Sequence, residues 1–249
     1  MKRAILKTSW ALLAACFCFT SLNGASKEEK AWAELVGRDV TKGAFAYVKN
    51  NKKLPNIFIY GDSISIGFTP TARSALDGKA NVYRLHTNGG DSSSFIPKME
   101  ALKAAMDPHC DFKFDIIQFN VGLHDLKYLN EKRQLDLNGK QVTSLGKYAA
   151  NLRKIVEWLK ETYPEAKLVF CTTTAVPVDS AGRKPGDSVR YNMVARKVLS
   201  SYPEVIINDL FAFSRDHAVH GNVHFQKNQH HLDQGKYVAA FLYNELQKK

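Results

Sequence analysis

A serine directly follows a short apolar segment that is typical of a buried strand. Ile57-Phe58-Ile59-Tyr60 runs into Gly61-Asp62-Ser63. A glycine two residues before the serine lets its hydroxyl project beyond the strand end. The following residues can open a helix whose N-terminal amides would face an oxyanion. A plain strand-to-helix turn in which Ser63 caps the helix would show the same residues, so Ser63 is a nucleophile only if partners converge on it.

Two further apolar segments also end in polar residues. Val82–His86 is followed by Asn88-Gly89-Gly90-Asp91-Ser92, and Ile116–Val121 by Gly122-Leu123-His124-Asp125. Glycines allow a backbone to approach a substrate and present an amide to it. A histidine at a strand end can donate a hydrogen bond to an oxyanion. Taken singly, each segment also fits an ordinary loop.

A histidine near the C-terminus is the candidate general base. Asn222-Val223-His224-Phe225 precedes the last predicted helix, and the two apolar neighbours would anchor His224. His230 and His231 are alternative bases.

These residues need a scaffold, and short apolar runs alternate with helical patterns along the chain. Helical patterns cover 27–50 and stretches near 70–78, 94–106, 145–162, 187–201 and 232–247. The predicted strands are Ile57–Gly61, Val82–His86, Asp115–Val121, Lys167–Thr173 and Val205–Asp209. Strict alternation predicts a three-layer α/β/α sandwich around a parallel, five-stranded, flavodoxin-like sheet. Ligands bind beyond the carboxyl ends of such strands, where the polar residues fall.

The polar segments occur in the order that the SGNH (GDSL-like) hydrolase superfamily uses, and residues 55–245 resemble it. Gly61–Ser65 resembles its first block, Gly90-Asp91-Ser92 its second, and Val223-His224-Phe225 its last. Gly122–Leu126 resembles the third block of an exported bacterial branch that reads Gly-Leu-His-Asp-Leu. Arg190-Tyr191-Asn192 and Asn208-Asp209-Leu210 also resemble that branch.

The resemblance implies a serine esterase without a metal or cofactor. Ser63 would be the nucleophile and His224 the base. The oxyanion donors would be the backbone N–H groups of Ser63 and Gly90 and the side chain of His124. We expect substrate contacts from three further residues: Asp62, Asn88 and Asp125.

Two departures from the family pattern affect these roles. His124 stands where the family usually has an asparagine, so the charge of this donor would depend on pH. Gly221 stands where an aspartate often orients the base. A backbone carbonyl or a carboxylate such as Asp209 could orient His224, or Ser63 and His224 could act as a dyad. His230, five residues before Gly235, also fits a spacing of the family's last block.

The N-terminus predicts export to the periplasm or the extracellular space. Lys2, Arg3 and Lys7 precede an apolar run from Trp10 to Phe19 and then small residues, which is typical of a signal peptide over 1–25. The run is too short for a stable membrane span, and residues 26–249 would form the esterase domain. Leu13-Ala14-Ala15-Cys16 resembles a lipobox, so a lipid anchor on Cys16 is the alternative.

Charge and cysteine content narrow the function classes further. The net charge is +11, and three of those positive charges and no negative ones lie in 1–25, which leaves +8. The lysines are scattered without a basic aromatic patch, so a nucleic-acid partner is not expected. Cys171 ends an apolar run and predicts a buried thiol. No cysteine or histidine spacing indicates zinc.

The predicted function is hydrolysis of a carboxylic ester, with removal of acetyl groups from an extracellular carbohydrate as the expected reaction. The partner would be a small-molecule or glycan ester. A lysophospholipase or thioesterase would use the same site. A non-catalytic glycan-binding relative is the other alternative, because the usual asparagine and aspartate are both absent.

Overall fold

The computed structural model of the chain describes residues 24–111, 113–217, 221–224 and 228–248. The predicted signal peptide therefore lies almost wholly outside the described residues. The helices are α1 (Lys27–Val36), α2 (Ser63–Ala75), α3 (Phe95–Met106), α4 (Leu145–Thr162), α5 (Asp187–Leu199), α6 (Leu210–Arg215) and α7 (Asn228–Gln247). The strands are β1 (Asn56–Tyr60), β2 (Asn81–Arg84), β3 (Ile116–Phe119), β4 (Tyr128–Leu129), β5 (Lys140–Gln141), β6 (Lys167–Cys171) and β7 (Ile206–Asn208).

Five strands form one parallel sheet in the order β2-β1-β3-β6-β7. Counted along the chain these strands are 2-1-3-4-5, which is the flavodoxin-like order. The predicted fold class is confirmed. Because the chain leaves β1 toward one edge and later returns to β3 beside it, the crevice for a ligand opens between the carboxyl ends of these two strands.

Helices cover both faces of the sheet. On one face α2 packs against α7; elsewhere α1 packs on α3, α3 on α4, and α4 on α5. The central strands are therefore continuously apolar and buried, as in the fully buried Ile57–Tyr60 of β1. In α4 one apolar face is buried, over Tyr148, Leu152, Ile155, Val156 and Leu159.

Two predicted helices have different bounds. The pattern over 27–50 forms only α1, since Gly37 closes the helix in the left-handed conformation at φ 65°. The helix predicted near 70–78 begins at Ser63, because Asp62 caps it there. The β4–β5 hairpin and the short α6 were not predicted.

Glycines allow α2 and α7 to approach closely. A Cβ added to Gly67 in α2 would lie 2.6 Å from Nδ1 of His231 in α7. A Cβ added to Gly235 in α7 would lie 2.5 Å from the Thr71 Cβ and 2.8 Å from the Phe68 carbonyl oxygen. The backbone oxygen cannot move aside as a flexible side chain can, so Gly235 fixes the distance between the two helices.

Gly235→Ala is therefore expected to lower the free energy of unfolding by about 1–3 kcal/mol through overpacking. Gly146→Ala is the matched control, because a Cβ at this exposed helical position meets no atom within 4 Å. It should stabilise the protein by about 0.5–1 kcal/mol. Urea denaturation of both variants measures the difference, and equal effects would contradict the close helix contact.

Candidate active site

Ser63 and His224 meet at the carboxyl edge of the sheet although 161 residues separate them. The Ser63 Oγ lies 2.6 Å from Nε2 of His224. Ser63 is the first residue of α2 and is half-buried, whereas His224 is exposed. A hydroxyl paired with an imidazole at a helix N-terminus is the arrangement that nucleophilic catalysis requires. The structure thus brings together the two residues predicted to react.

Asp62 has a structural role in place of the expected contact with substrate. It was predicted to bind substrate, but only 3% of it is exposed. Its carboxylate accepts the Ile64 N–H at 2.9 Å and caps α2. The carboxylate is thus committed to starting the helix at the nucleophile position.

A buried arginine, unrecognised in the sequence, supports the Ser63 turn. Arg84 at the end of β2 is 1% exposed. Its guanidinium donates to five oxygens at 2.7–3.3 Å: the carbonyls of Gly61, Asp62, Leu85 and Thr87, and the Ser65 hydroxyl. Burial lowers the pKa of Arg84 to about 9, which leaves it charged at neutral pH. A charged residue between the apolar Tyr83 and Leu85, in a predicted buried strand, was the signal that could have found it.

The loop after β2 is held by contacts to its own backbone. The Tyr60 hydroxyl donates to the Gly89 carbonyl at 2.8 Å, and the Lys98 ammonium donates to the carbonyls of Asn88 and Gly89. Gly90 adopts φ 72°, which favours glycine.

Two expected roles in this loop differ from what the structure shows. The Gly90 N–H, predicted as an oxyanion donor, donates to Oδ1 of Asn88 at 3.0 Å. Asn88, predicted to contact substrate, uses its amide oxygen to hold this turn. The Gly90 N–H can therefore donate to an oxyanion only if it first releases its hydrogen bond to Oδ1 of Asn88.

Asp125 ties two strand-end loops together. It is fully buried, and its carboxylate accepts the Ser92 N–H at 3.0 Å and the Ser92 hydroxyl at 2.5 Å. Burial raises the pKa of Asp125 against the opposing hydrogen bonds from Ser92. A carboxylate at 0% exposure does not reach a substrate, so its role is to position Ser92 and the loop before it.

His124 lies in the turn after β3, where its hydrogen-bond partner is a lysine. The Lys127 Nζ is 3.1 Å from Nδ1 of His124. Burial lowers the pKa of His124 to about 4, with the charges of Lys127 and Arg183 acting in the same direction and that of Asp62 against it. The ring is therefore neutral at physiological pH, and the expected pH dependence of its charge falls below that range.

The loop that carries His124 is fixed from the neighbouring strand. Gly122 has φ 141°, and a Cβ there would lie 2.0 Å from the Thr173 Oγ1. Asn192 of α5 accepts the Thr173 N–H and donates to the Thr173 carbonyl, both at 2.8 Å. Arg183 donates to the Leu123 carbonyl at 3.0 Å. The segment after β6 thereby holds the segment after β3 in place.

The orientation of His224 does not involve Asp209. The Asp209 carboxylate accepts from the Thr172 hydroxyl at 2.9 Å and from Arg196 at 2.6 Å. Among the described residues, no carboxylate hydrogen-bonds to His224. Its own N–H donates to Oδ1 of Asn222 at 2.9 Å, which fixes the local turn.

The two rival histidines lie in α7. The His230 ring meets the His217 ring edge-on with centroids 5.2 Å apart, and His231 packs on Gly67. The structure pairs Ser63 with His224.

The described residues show neither a metal cluster nor a helix that could cross a membrane. Within the described ranges, no three His, Cys, Asp or Glu side chains are grouped to hold a metal ion. None of the described helices is both long and apolar enough to cross a membrane. Cys171 is buried and unpaired, as its apolar run predicted.

The structure is similar to those of several solved esterases and lipases. An acetyl xylan esterase, AlAXEase, matches with a TM-score of 0.57 at 15% identity, over 77% of this chain and 99% of that one. A carbohydrate esterase family 2 enzyme with a carbohydrate-binding domain, from Corynascus thermopiles (Myceliophthora fergusii), matches with a TM-score of 0.55 at 16% identity, over 77% and 66%. A lipase/acylhydrolase from Enterococcus faecalis matches with a TM-score of 0.54 at 16% identity, over 78% and 98%.

The chain has the SGNH hydrolase fold, as the resemblance implied. No protein-family model and no curated protein matches its sequence. At these identities the matched structures define the fold, and the chemistry is argued from the site itself.

Removal of the buried arginine should loosen the Ser63 turn. Arg84→Met leaves several buried carbonyls without a donor, so we expect a loss of at least about 3 kcal/mol in unfolding free energy. Arg84→Lys should recover only part of it, because an ammonium lacks the planar fork of five donors. Arg215→Met, which breaks an exposed pair with Asp216, should cost about 0.5 kcal/mol or less. Urea denaturation measures the unfolding free energy of each variant. An Arg84→Met variant as stable as wild type would refute the role of Arg84 in stabilising the Ser63 turn.

Proposed function

We propose that the protein is a serine esterase that hydrolyses carboxylic esters through an acyl-enzyme on Ser63. The 2.6 Å contact between the Ser63 Oγ and Nε2 of His224, at the N-terminus of α2, carries this proposal. The matched esterases and lipases support it, because their fold places ligands at the same edge of the sheet.

In the first half of the reaction, the Ser63 Oγ attacks the ester carbonyl carbon while its proton passes to Nε2 of His224. The bond to the alcohol oxygen then breaks, and that oxygen takes the proton from His224. The acyl group remains on Ser63. In the second half, His224 takes a proton from water and the hydroxide attacks the acyl carbon. The bond from that carbon to the Ser63 Oγ then breaks, Oγ takes the proton from His224, and the carboxylic acid leaves.

The negative charge that develops on the carbonyl oxygen in the transition state needs hydrogen-bond donors. The Ser63 N–H lies at the positive end of α2, and His124 follows the adjacent strand β3. Each placed donor contributes roughly 3–4 kcal/mol to the transition state. We include the Gly90 N–H as a third donor only in a state where the oxyanion replaces Asn88.

We propose an acetylated extracellular carbohydrate as the substrate. The predicted signal peptide supports export, and the acetyl xylan esterase and the carbohydrate esterase among the matched structures support the substrate class. Acetate release from acetylated xylan and from acetylated oligosaccharides, with Ser63→Ala as the blank, tests it. Release of fatty acid from a lysophospholipid instead would indicate a lipase, and glycan binding without acetate release would indicate a binding protein.

Ser63→Ala should lower kcat toward p-nitrophenyl acetate by about 10⁴-fold or more, because the covalent route is lost. Its stability should change by less than about 1 kcal/mol, since Asp62 caps the helix. Wild type should be labelled at Ser63 by a serine-reactive phosphonate. Ser200→Ala is the exposed control and should behave as wild type. Undiminished turnover in Ser63→Ala would refute the mechanism.

His224→Ala should lower kcat by several orders of magnitude, as the loss of a catalytic base does. His230→Ala and His231→Ala should cost far less, and the exposed His109→Ala nothing measurable. Steady-state kinetics compares the four. A larger loss of kcat in His230→Ala than in His224→Ala would show that His230, and not His224, is the base.

His124→Ala should lower kcat by about 100- to 1,000-fold through the loss of one oxyanion donor, with little change in KM. His124→Asn should keep most of the activity, because an amide N–H can replace a ring N–H. The two kinetic constants of both variants decide. A rise in KM alone in His124→Ala would make His124 a substrate contact.

A further inference from the structure

Lys127 and His124 form a pair inside the turn after β3. The chain folds back there, with the Leu126 N–H donating to the Gly122 carbonyl at 3.0 Å. This turn brings the Lys127 Nζ to 3.1 Å from Nδ1 of His124, and both side chains are partly buried. Among the described residues, no hydrogen bond involves Nε2 of His124.

The chemistry of the two groups assigns the proton on the ring. An ammonium has three N–H donors and no acceptor, so Lys127 can only donate. Nδ1 of His124 must then be the acceptor and carry no proton. A neutral imidazole holds one proton, which leaves it on Nε2.

We propose that Lys127 is a positioning residue that fixes His124 as the Nε2–H tautomer and so makes the ring a hydrogen-bond donor at the oxyanion site. The oxyanion role rests on the proposed esterase function, whereas the assignment of the tautomer does not. An asparagine presents an N–H donor whatever its surroundings, but a histidine needs a partner to choose which nitrogen carries the proton.

The surroundings of the ring favour the neutral form that this requires. Burial, together with the cations of Lys127 and Arg183, holds the pKa of His124 at about 4 against the carboxylates of Asp62 and Asp91. Above that pH the ring is neutral, and the contact with Lys127 is compatible with no other tautomer.

The first test reads the proton directly. Long-range ¹H–¹⁵N correlation spectra distinguish the two tautomers of a neutral imidazole, and His124→Asn assigns the signal among the eight histidines. At pH 7 we expect Nε2 protonated and Nδ1 bare in wild type. Lys127→Met should shift the ring toward a mixture of tautomers, while Lys184→Met, which removes an exposed cation stacked on Tyr128, should leave it unchanged. A protonated Nδ1 in wild type would overturn the proposal.

The second test is a double-mutant cycle on esterase turnover. Lys127→Met should lower kcat about ten-fold in the wild-type background, a typical loss for removing the partner that orients a histidine. In the His124→Asn background the same substitution should change kcat less than two-fold, because an amide needs no tautomer. Equal losses in both backgrounds would mean that Lys127 acts on the substrate directly, which would overturn the proposal.

The two tests separate the possible failures. If wild type lacks esterase activity but shows the Nε2–H tautomer that Lys127→Met perturbs, the proposed function fails and the tautomer assignment stands. If activity is present and the spectrum of Lys127→Met equals that of wild type, the assignment fails alone. Thermal denaturation of each variant confirms that a lost signal is not a lost fold.

Discussion

The turn from β1 into α2 is the constraint on which the site depends. Its backbone must expose the Ser63 hydroxyl at a helix N-terminus while the preceding carbonyls point into the protein interior. Buried carbonyls need donors, and the guanidinium of Arg84 supplies them from the adjacent strand. The Asp62 carboxylate then accepts the Ile64 N–H in the first turn of α2. Because one arginine and one carboxylate satisfy the turn, Ser63 is left with no structural duty and its hydroxyl is available for His224.

The remaining site residues are held by ties between loops that follow different strands. Asp125 after β3 holds Ser92 after β2, and Asn192 of α5 holds Thr173 after β6. Such cross-links fix donors before a substrate arrives, which lowers the reorganisation that a reaction requires. His224 is held differently, by a local turn through Asn222 on an exposed segment. In the proposed reaction, the cross-linked half of the site would stabilise the oxyanion, and the exposed half would transfer the proton.

Sequence patterns predicted the five strands within a few residues, because strands buried on both faces read as apolar runs between helical patterns. The same patterns placed Ser63 and His124 at strand ends. They could not separate a polar residue that faces a substrate from one that satisfies backbone. Asp62 and Asp125 were both assigned to substrate, yet both are buried and serve the protein's own amides. Arg84 and Lys127 were missed because their partners are set by tertiary contacts and by a tight turn. The β4–β5 hairpin has strands of two residues, too short to show a period.

A histidine at the position of the usual asparagine brings two difficulties, a charge that varies with pH and a proton that can sit on either ring nitrogen. The surroundings of His124 address both. An exposed histidine would titrate near neutral pH and would alternate between two tautomers, so its donor would be neither constant in charge nor fixed in place. Burial answers the first problem, since it holds the pKa of His124 at about 4. In our proposal Lys127 fixes the tautomer. An ammonium can only donate a hydrogen bond, so Nδ1 of His124 must accept it and the ring proton stays on Nε2. In the proposed oxyanion site, the His124–Lys127 pair together would therefore do what an asparagine amide does alone.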